Sequence, residues 1–230
     1  MAYDDDMRAG KLTMTLRERL KQSFLFYDSY LFVRNRVWLV GWFLNGRAAP
    51  PPLVKQQCVL EYQRKFGIPI LVETGTYRGE MVRATRSAFK EIYSIELNTE
   101  LHAYVQRMFA RFPHIRLLQG DSSVVLRDLL PHIQSPCLFW LDAHNIEGNT
   151  GRKERETPVM AELECIMNHP VKEHVILIDD ARLFDGTNDY PLLAEVTQFV
   201  SQRRPERRVS VADDIIRITL PERPRREKEQ

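Results

Sequence analysis

Five short apolar runs recur along the chain, at 68–72 (IPILV), 92–95 (IYSI), 115–118 (IRLL), 137–141 (CLFWL) and 174–178 (HVILI). Helical patterning fills the gaps, at roughly 79–89, 99–111, 122–132, 158–168 and 191–202. Strands that are apolar without alternation must be buried on both faces. Alternating with helices, they pack as a parallel sheet between two helical layers. Two later runs, RRVSV at 207–211 and IIRITL at 215–220, are separated only by Ala212-Asp213-Asp214. No crossover helix fits that gap, so the pair is expected to form an antiparallel hairpin. The predicted fold class is α/β: a three-layer sandwich with a mostly parallel seven-stranded sheet that ends in the hairpin.

A chain of 230 residues holds one sizeable domain of this kind plus an appendage. Residues 1–52 form an N-terminal appendage that is helical, rich in aromatics (SFLFYDSYLFVRNRVWLVGWFL) and closed by the stiff joint Ala48-Ala49-Pro50-Pro51-Pro52. Residues 53–220 carry the sheet, and 221–230 form a basic, solvated tail. Asp28, Arg34 and Arg36 argue against a membrane span in the aromatic stretch. Residues 15–45 are therefore expected to cap the core or to form a homodimer surface. A peripheral membrane contact is the alternative, because Trp38 and Trp42 beside Arg34 and Arg36 suit an interface. No small-residue cleavage site is visible, which argues against a signal peptide. Cys58, Cys137 and Cys165 show no CxxC spacing, so a reducing cytoplasm is expected, without disulfides or zinc. The net charge of +2 gives no general reason to expect nucleic acid.

In an open α/β sheet, ligands bind beyond the carboxyl ends of the strands. The runs end, in order, in Glu73-Thr74-Gly75-Thr76-Tyr77-Arg78-Gly79, Glu96, Gly120-Asp121-Ser122, Asp142-Ala143-His144-Asn145 and Asp179-Asp180. Every strand end thus carries an acid. Asp is a common helix N-cap, and Asp121 stands where it could cap the helix that begins near Ser122. A full set of acids nevertheless points to a ligand, because crowded carboxylates are costly unless a cation or a hydrogen-bond donor meets them. Glu96 follows Glu73 by 23 residues, at the next strand end, where a carboxylate can accept both ribose hydroxyls. The turn after Glu73 has GxxxG and lacks the middle glycine that a pyrophosphate requires. It suits a ligand with an ammonium group instead. The turn is also expected to bring backbone N–H groups close to that ligand.

With these motifs in this order, the chain resembles class I S-adenosylmethionine-dependent methyltransferases, whose sheet is Rossmann-like. The resemblance covers about 55–220. ETGTYRG matches the family's first motif, E/D-x-G-x-x-x-G, and Glu96 and Gly120-Asp121-Ser122 match the later ones. It implies that Glu73, Gly75 and Thr76 lie around the methionine portion of S-adenosylmethionine, with Tyr77 and Gly79 of the same turn also binding the cofactor. Glu96 would hold the ribose, Asp121 and Ser122 would border the adenine, and Asp142 would also bind the cofactor.

The acids after the fourth and fifth runs resemble those of metal-dependent small-molecule O-methyltransferases of the catechol and macrolide-sugar kinds. The resemblance implies that Asp142, Asp179 and Asp180 bind Mg2+, which would hold an acceptor hydroxyl and lower its pKa. A metal-free site, in which Asp142 orients the substrate or the sulfonium, is the alternative. The catechol group places a lysine base three residues after the fourth-strand acid; this chain has Asn145 there. His144 is the nearest replacement, as base or as support for the metal, beside Asp142. The polar segment 146–156 is expected to be a lid or an ordinary loop, with Arg152, Lys153 and Arg155 able to meet an anionic acceptor. LDAHN stands where amino-methylating enzymes carry Asn/Asp-Pro-Pro-aromatic, so a nucleic-acid acceptor is not expected. The expected function is methyl transfer to a small-molecule hydroxyl, in a sugar or secondary metabolite. The alternatives are a non-methylating α/β enzyme that kept the nucleotide pocket, and a membrane-associated scaffold acting through its aromatic helix.

Overall fold

The structure is a computed structural model that describes residues 33, 34, 36–39, 42, 49–142 and 157–221. The chain divides into two compact units, 1–46 and 47–230. In the first, residues 33, 34, 36–39 and 42 are helical, and Val33, Val37 and Trp38 are exposed. The rest of the helical stretch expected within 1–52 lies outside the described residues, as do residues 143–156 and 222–230. Among the described residues no helix is long and apolar enough to cross a membrane.

The second unit contains the sheet. Its elements run α1 (Pro52–Phe66), β1 (Ile70–Thr74), α2 (Glu80–Thr85), β2 (Glu91–Glu96), α3 (Thr99–Phe109), β3 (Ile115–Gln119) and α4 (Ser122–Leu129). They continue with β4 (Cys137–Leu141), α5 (Val159–Asn168), β5 (Val175–Ile178), α6 (Leu193–Arg203), β6 (Arg208–Ala212) and β7 (Ile215–Thr219). The seven strands lie in the order β3-β2-β1-β4-β5-β7-β6. The first five are parallel, and β7 is antiparallel to both of its neighbours.

Burial explains the layers. All residues of β1, β4 and β5 are buried, as the unalternating runs require. Val72, Tyr93, Phe139 and Ile176 pack with Leu126 of α4, Leu163 and Ile166 of α5, and Val196 and Val200 of α6. Their neighbours Leu71, Ile92, Leu138 and Leu177 are equally buried on the opposite face, on the side of α1, α2 and α3. Cys137 is fully buried and packs as a small hydrophobe. The β6–β7 turn is tighter than the spacing suggests. Ala212 pairs with Ile215, and Asp213 and Asp214 both take positive φ (51° and 60°), the I′ geometry that matches strand twist.

β1 and α2 differ at their ends from the sequence expectation. β1 runs to Thr74, two residues beyond the apolar run, because Glu73 finds a hydroxyl partner inside the sheet and Thr74 pairs with Leu141. It also starts later, since Pro69 has no N–H to donate to the ladder. Helix α2 stops at Thr85 rather than near 89. The Thr85 hydroxyl donates back to the Met81 carbonyl at 2.8 Å, and the Arg86 side chain takes the Arg83 carbonyl.

Candidate active site

The strand order reverses between β1 and β4, and such a switch point opens a crevice at the carboxyl edge. The register fixes what lines it. Thr74 pairs with Ile95 and Leu141, Leu141 with Ile178, and Glu96 with Gln119. One residue further on, Gln119, Glu96, Gly75, Asp142 and Asp179 fall in a single row across the edge. The ladder continues into that row, through Asp142 N–H to the Thr74 carbonyl (3.1 Å) and Asp179 N–H to the Leu141 carbonyl (3.0 Å).

The first turn departs from expectation in one respect. Gly75 and Thr76 both donate their N–H groups to the Ile95 carbonyl, at 3.0 and 3.1 Å. Gly79 donates to the Thr76 carbonyl (2.8 Å), and Tyr77 donates to Glu96 Oε2 (2.7 Å). These four N–H groups are therefore spent within the protein. The reason is the sharp fold-back of the turn, with positive φ at Gly75, Tyr77 and Gly79. The Tyr77 ring lies largely exposed, with the Arg78 guanidinium 5.4 Å from its centroid.

Two carboxylates behind this turn, Glu73 and Glu96, are buried. Glu73 accepts from the Ser94 hydroxyl, which lies 2.5 Å from the Thr76 hydroxyl. Burial pushes the Glu73 carboxyl up to about 8; the Ser94 hydrogen bond pulls it down, and Asp142 and Glu96 add to the rise. Glu96 takes one backbone N–H on each oxygen, from Tyr77 and from Asn98 (2.9 Å). Asp121 caps α4, accepting the Ser123 N–H at 2.8 Å and the Ser123 hydroxyl at 2.6 Å on Oδ1. Ser122, beside it, is buried.

Asp142, Asp179 and Asp180 offer ligand atoms within 4.8 Å of one another. Asp180 holds a left-handed backbone (φ 56°), which turns its side chain into the same cluster as Asp179. Two cations that the spacing did not reveal meet these acids. Lys55, from the first turn of α1, donates to Asp179 Oδ2 and to Asp180 Oδ1 (3.3 Å). Arg182 donates to the same Asp180 oxygen at 2.9 Å and is held from behind by Asp214. Burial pushes Asp179 well above the usual carboxylate range, with Asp142 adding to it and Lys55 opposing it. Both Asp179 oxygens nevertheless accept hydrogen bonds, Oδ1 from the Asp180 N–H at 2.8 Å, and this favours the ionised form. For Lys55, burial lowers the ammonium pKa, but Asp179, Asp180 and Asp142 outweigh it and leave it above the ordinary value. Mg2+ needs oxygens at about 2.0–2.1 Å with no competing ammonium. Asp179 Oδ2 is taken by Lys55, and Asp180 Oδ1 by both Lys55 and Arg182, so an ion there would have to share or displace a protein cation, and the cluster as arranged does not fit it.

Glu162 of α5 was also missed. It is fully buried, and burial raises its carboxyl to about 7, while the Ser122 hydroxyl favours its ionised form. It lies in the apolar stripe of Val159, Leu163 and Ile166, the one place where the sequence marks it. His144 and the segment 146–156 lie outside the described residues.

No family model matches the chain, and no curated protein matches it in sequence. Solved structures do share its fold. The O-methyltransferase of Bacillus cereus, in complex with S-adenosylhomocysteine, is 13% identical and superposes with a TM-score of 0.57 over 81% of this chain and 89% of its own. TomG of Streptomyces achromogenes, an O-methyltransferase involved in tomaymycin synthesis and bound to S-adenosylmethionine, gives 0.56 at 13% identity, over 90% of this chain and 99% of its own. The S-adenosylhomocysteine-bound methyltransferase PaMTH1 of Podospora anserina gives 0.50 at 15% identity, over 93% and 100%. With the sheet order and the terminal hairpin, these likenesses identify the fold as the Rossmann-like fold of class I methyltransferases.

Proposed function

We propose that the chain is an S-adenosylmethionine-dependent methyltransferase acting on a hydroxyl of a small molecule. The observation that carries this reading is the polarity of the first turn. A phosphate ligand needs backbone N–H donors there; those of Gly75, Thr76, Tyr77 and Gly79 are all consumed. Acceptors dominate instead, in Glu73, Glu96 and Asp142, and acceptors suit an ammonium and a sulfonium. The O-methyltransferases that share the fold, two of them named above with a bound donor or its product, support the reading.

In this reading Glu73, Gly75, Thr76, Tyr77 and Gly79 surround the methionine end. Each Glu96 oxygen keeps a second lone pair for a ribose hydroxyl, and Asp121 and Ser122 border the adenine. Asp142, Asp179 and Asp180 form the acceptor side. The bound donor supplies an electrophilic methyl: the acceptor oxygen bonds to that carbon as the carbon–sulfur bond breaks, leaving S-adenosylhomocysteine. Asp142 takes the hydroxyl proton, with His144 as the second candidate for that task. Thermal unfolding tests the choice of ligand. At 100 times its Kd, S-adenosylhomocysteine stabilises the fold by about 2.7 kcal/mol and raises Tm, whereas NAD+ and ATP leave it unchanged. A shift with NAD+ or ATP and none with S-adenosylhomocysteine refutes the reading.

A further inference from the structure

We propose that Lys55 is a resident cation that takes the place of a divalent metal at Asp142, Asp179 and Asp180, so that the acceptor side works without one. The inference rests on the methyltransferase reading for its purpose, but not for its geometry. Lys55 lies on the same stripe of α1 as Cys58, Val59 and Tyr62, all buried against the core. A lysine on such a stripe is costly unless its charge is met. Its ammonium reaches across 124 residues of sequence to the end of β5 and joins the two aspartates there. The buried stripe sets the direction of the side chain, and the Gln56 amide, 3.5 Å from the Glu80 carbonyl, ties the same turn to α2. Arg182, anchored by Asp214, supplies a second fixed charge on Asp180. Three acids thus face two protein cations, and a metal would have to displace one of them. An ammonium has three N–H donors. Asp179 and Asp180 take two, which leaves one for an oxygen of the acceptor.

Mn2+ is the probe, followed through the electron paramagnetic resonance of the free ion as it is titrated into the full chain without donor or acceptor. Wild-type protein leaves the ion free up to about 1 mM, the weak end of carboxylate sites. Lys55→Ala binds one Mn2+ per chain at least about tenfold more tightly, a gain of about 1.4 kcal/mol, and adding Asp179→Asn removes it. One Mn2+ bound by wild-type protein and lost in Asp179→Asn alone overturns the proposal, and needs no Lys55 variant to fold. Failure of a folded Lys55→Ala to bind also overturns it, because Lys55 is then not what excludes the ion. None of these outcomes depends on donor binding, so they stand apart from the fate of the methyltransferase reading.

Discussion

Single residues carry the first turn. Gly79 has φ +73°, and a Cβ there would lie 2.7 Å from Phe109 Cε2, so both backbone and packing demand glycine. Gly79→Ala is expected to cost about 2 kcal/mol, from the left-handed strain and the displaced ring, read as a lower urea midpoint at unchanged slope. A loss under about 0.5 kcal/mol, the scatter of an ordinary surface change, contradicts that account. The spacing of Gly75 and Gly79 was legible, because a strand-to-helix turn leaves its mark within seven residues. That the turn would spend its own N–H groups was not legible. Three of the four find their partners, Ile95 and Glu96, on the next strand. Lys55 is harder still to read: only its place in a buried stripe marks it, and its partners stand at the carboxyl end of β5, 124 and 125 residues away in sequence.

At the scale of elements, the strands and helices were readable where burial imposes a period, and their ends were not. Thr85 and Arg86 stop α2 through local side-chain bonds, and the hydroxyl of Ser94 lets β1 run on through Glu73. A second local device joins elements at the opposite edge of the sheet. The Cys137 N–H at the start of β4 donates to His174 Nδ1 (3.0 Å), whose Nε2 lies 2.8 Å from His169 Nδ1. His169 Nε2 in turn lies 2.9 Å from the Leu130 carbonyl. With His174 Nδ1 as acceptor, one N–H per ring completes the chain. Burial first, and then His169, Arg207 and Lys172, together drive the His174 pKa down to about 3. An unfolded histidine titrates near 6.5. Between about pH 6.5 and 3 the unfolded chain binds a proton that the native state refuses, so this contribution is complete above 6.5 and lost as pH falls. His174→Gln keeps an acceptor and a donor but cannot titrate. Its stability should therefore fall less than that of wild-type protein between pH 6.5 and 4, by roughly 1–3 kcal/mol, as followed by urea midpoints. Equal pH slopes in the two proteins would contradict the assignment.

For the molecule as a whole, five parallel strands and a closing hairpin bring acids distant in sequence into one row at the switch point. Glu96, Asp142 and Asp179 were legible as strand-end acids, because the fold class alone says where strand ends meet. The cations that meet Asp179 and Asp180 were not, because the helix packing that places Lys55 has no local code. The central claim is that this row receives a sulfonium nucleoside, and calorimetric titration of S-adenosylhomocysteine into wild-type protein and Glu96→Ala tests it most directly. The account predicts one saturable site per chain in wild-type protein and affinity at least about tenfold weaker, 1.4 kcal/mol, in the variant. Folded wild-type protein that gives no saturable binding, or a Glu96→Ala variant that binds as tightly, would contradict it.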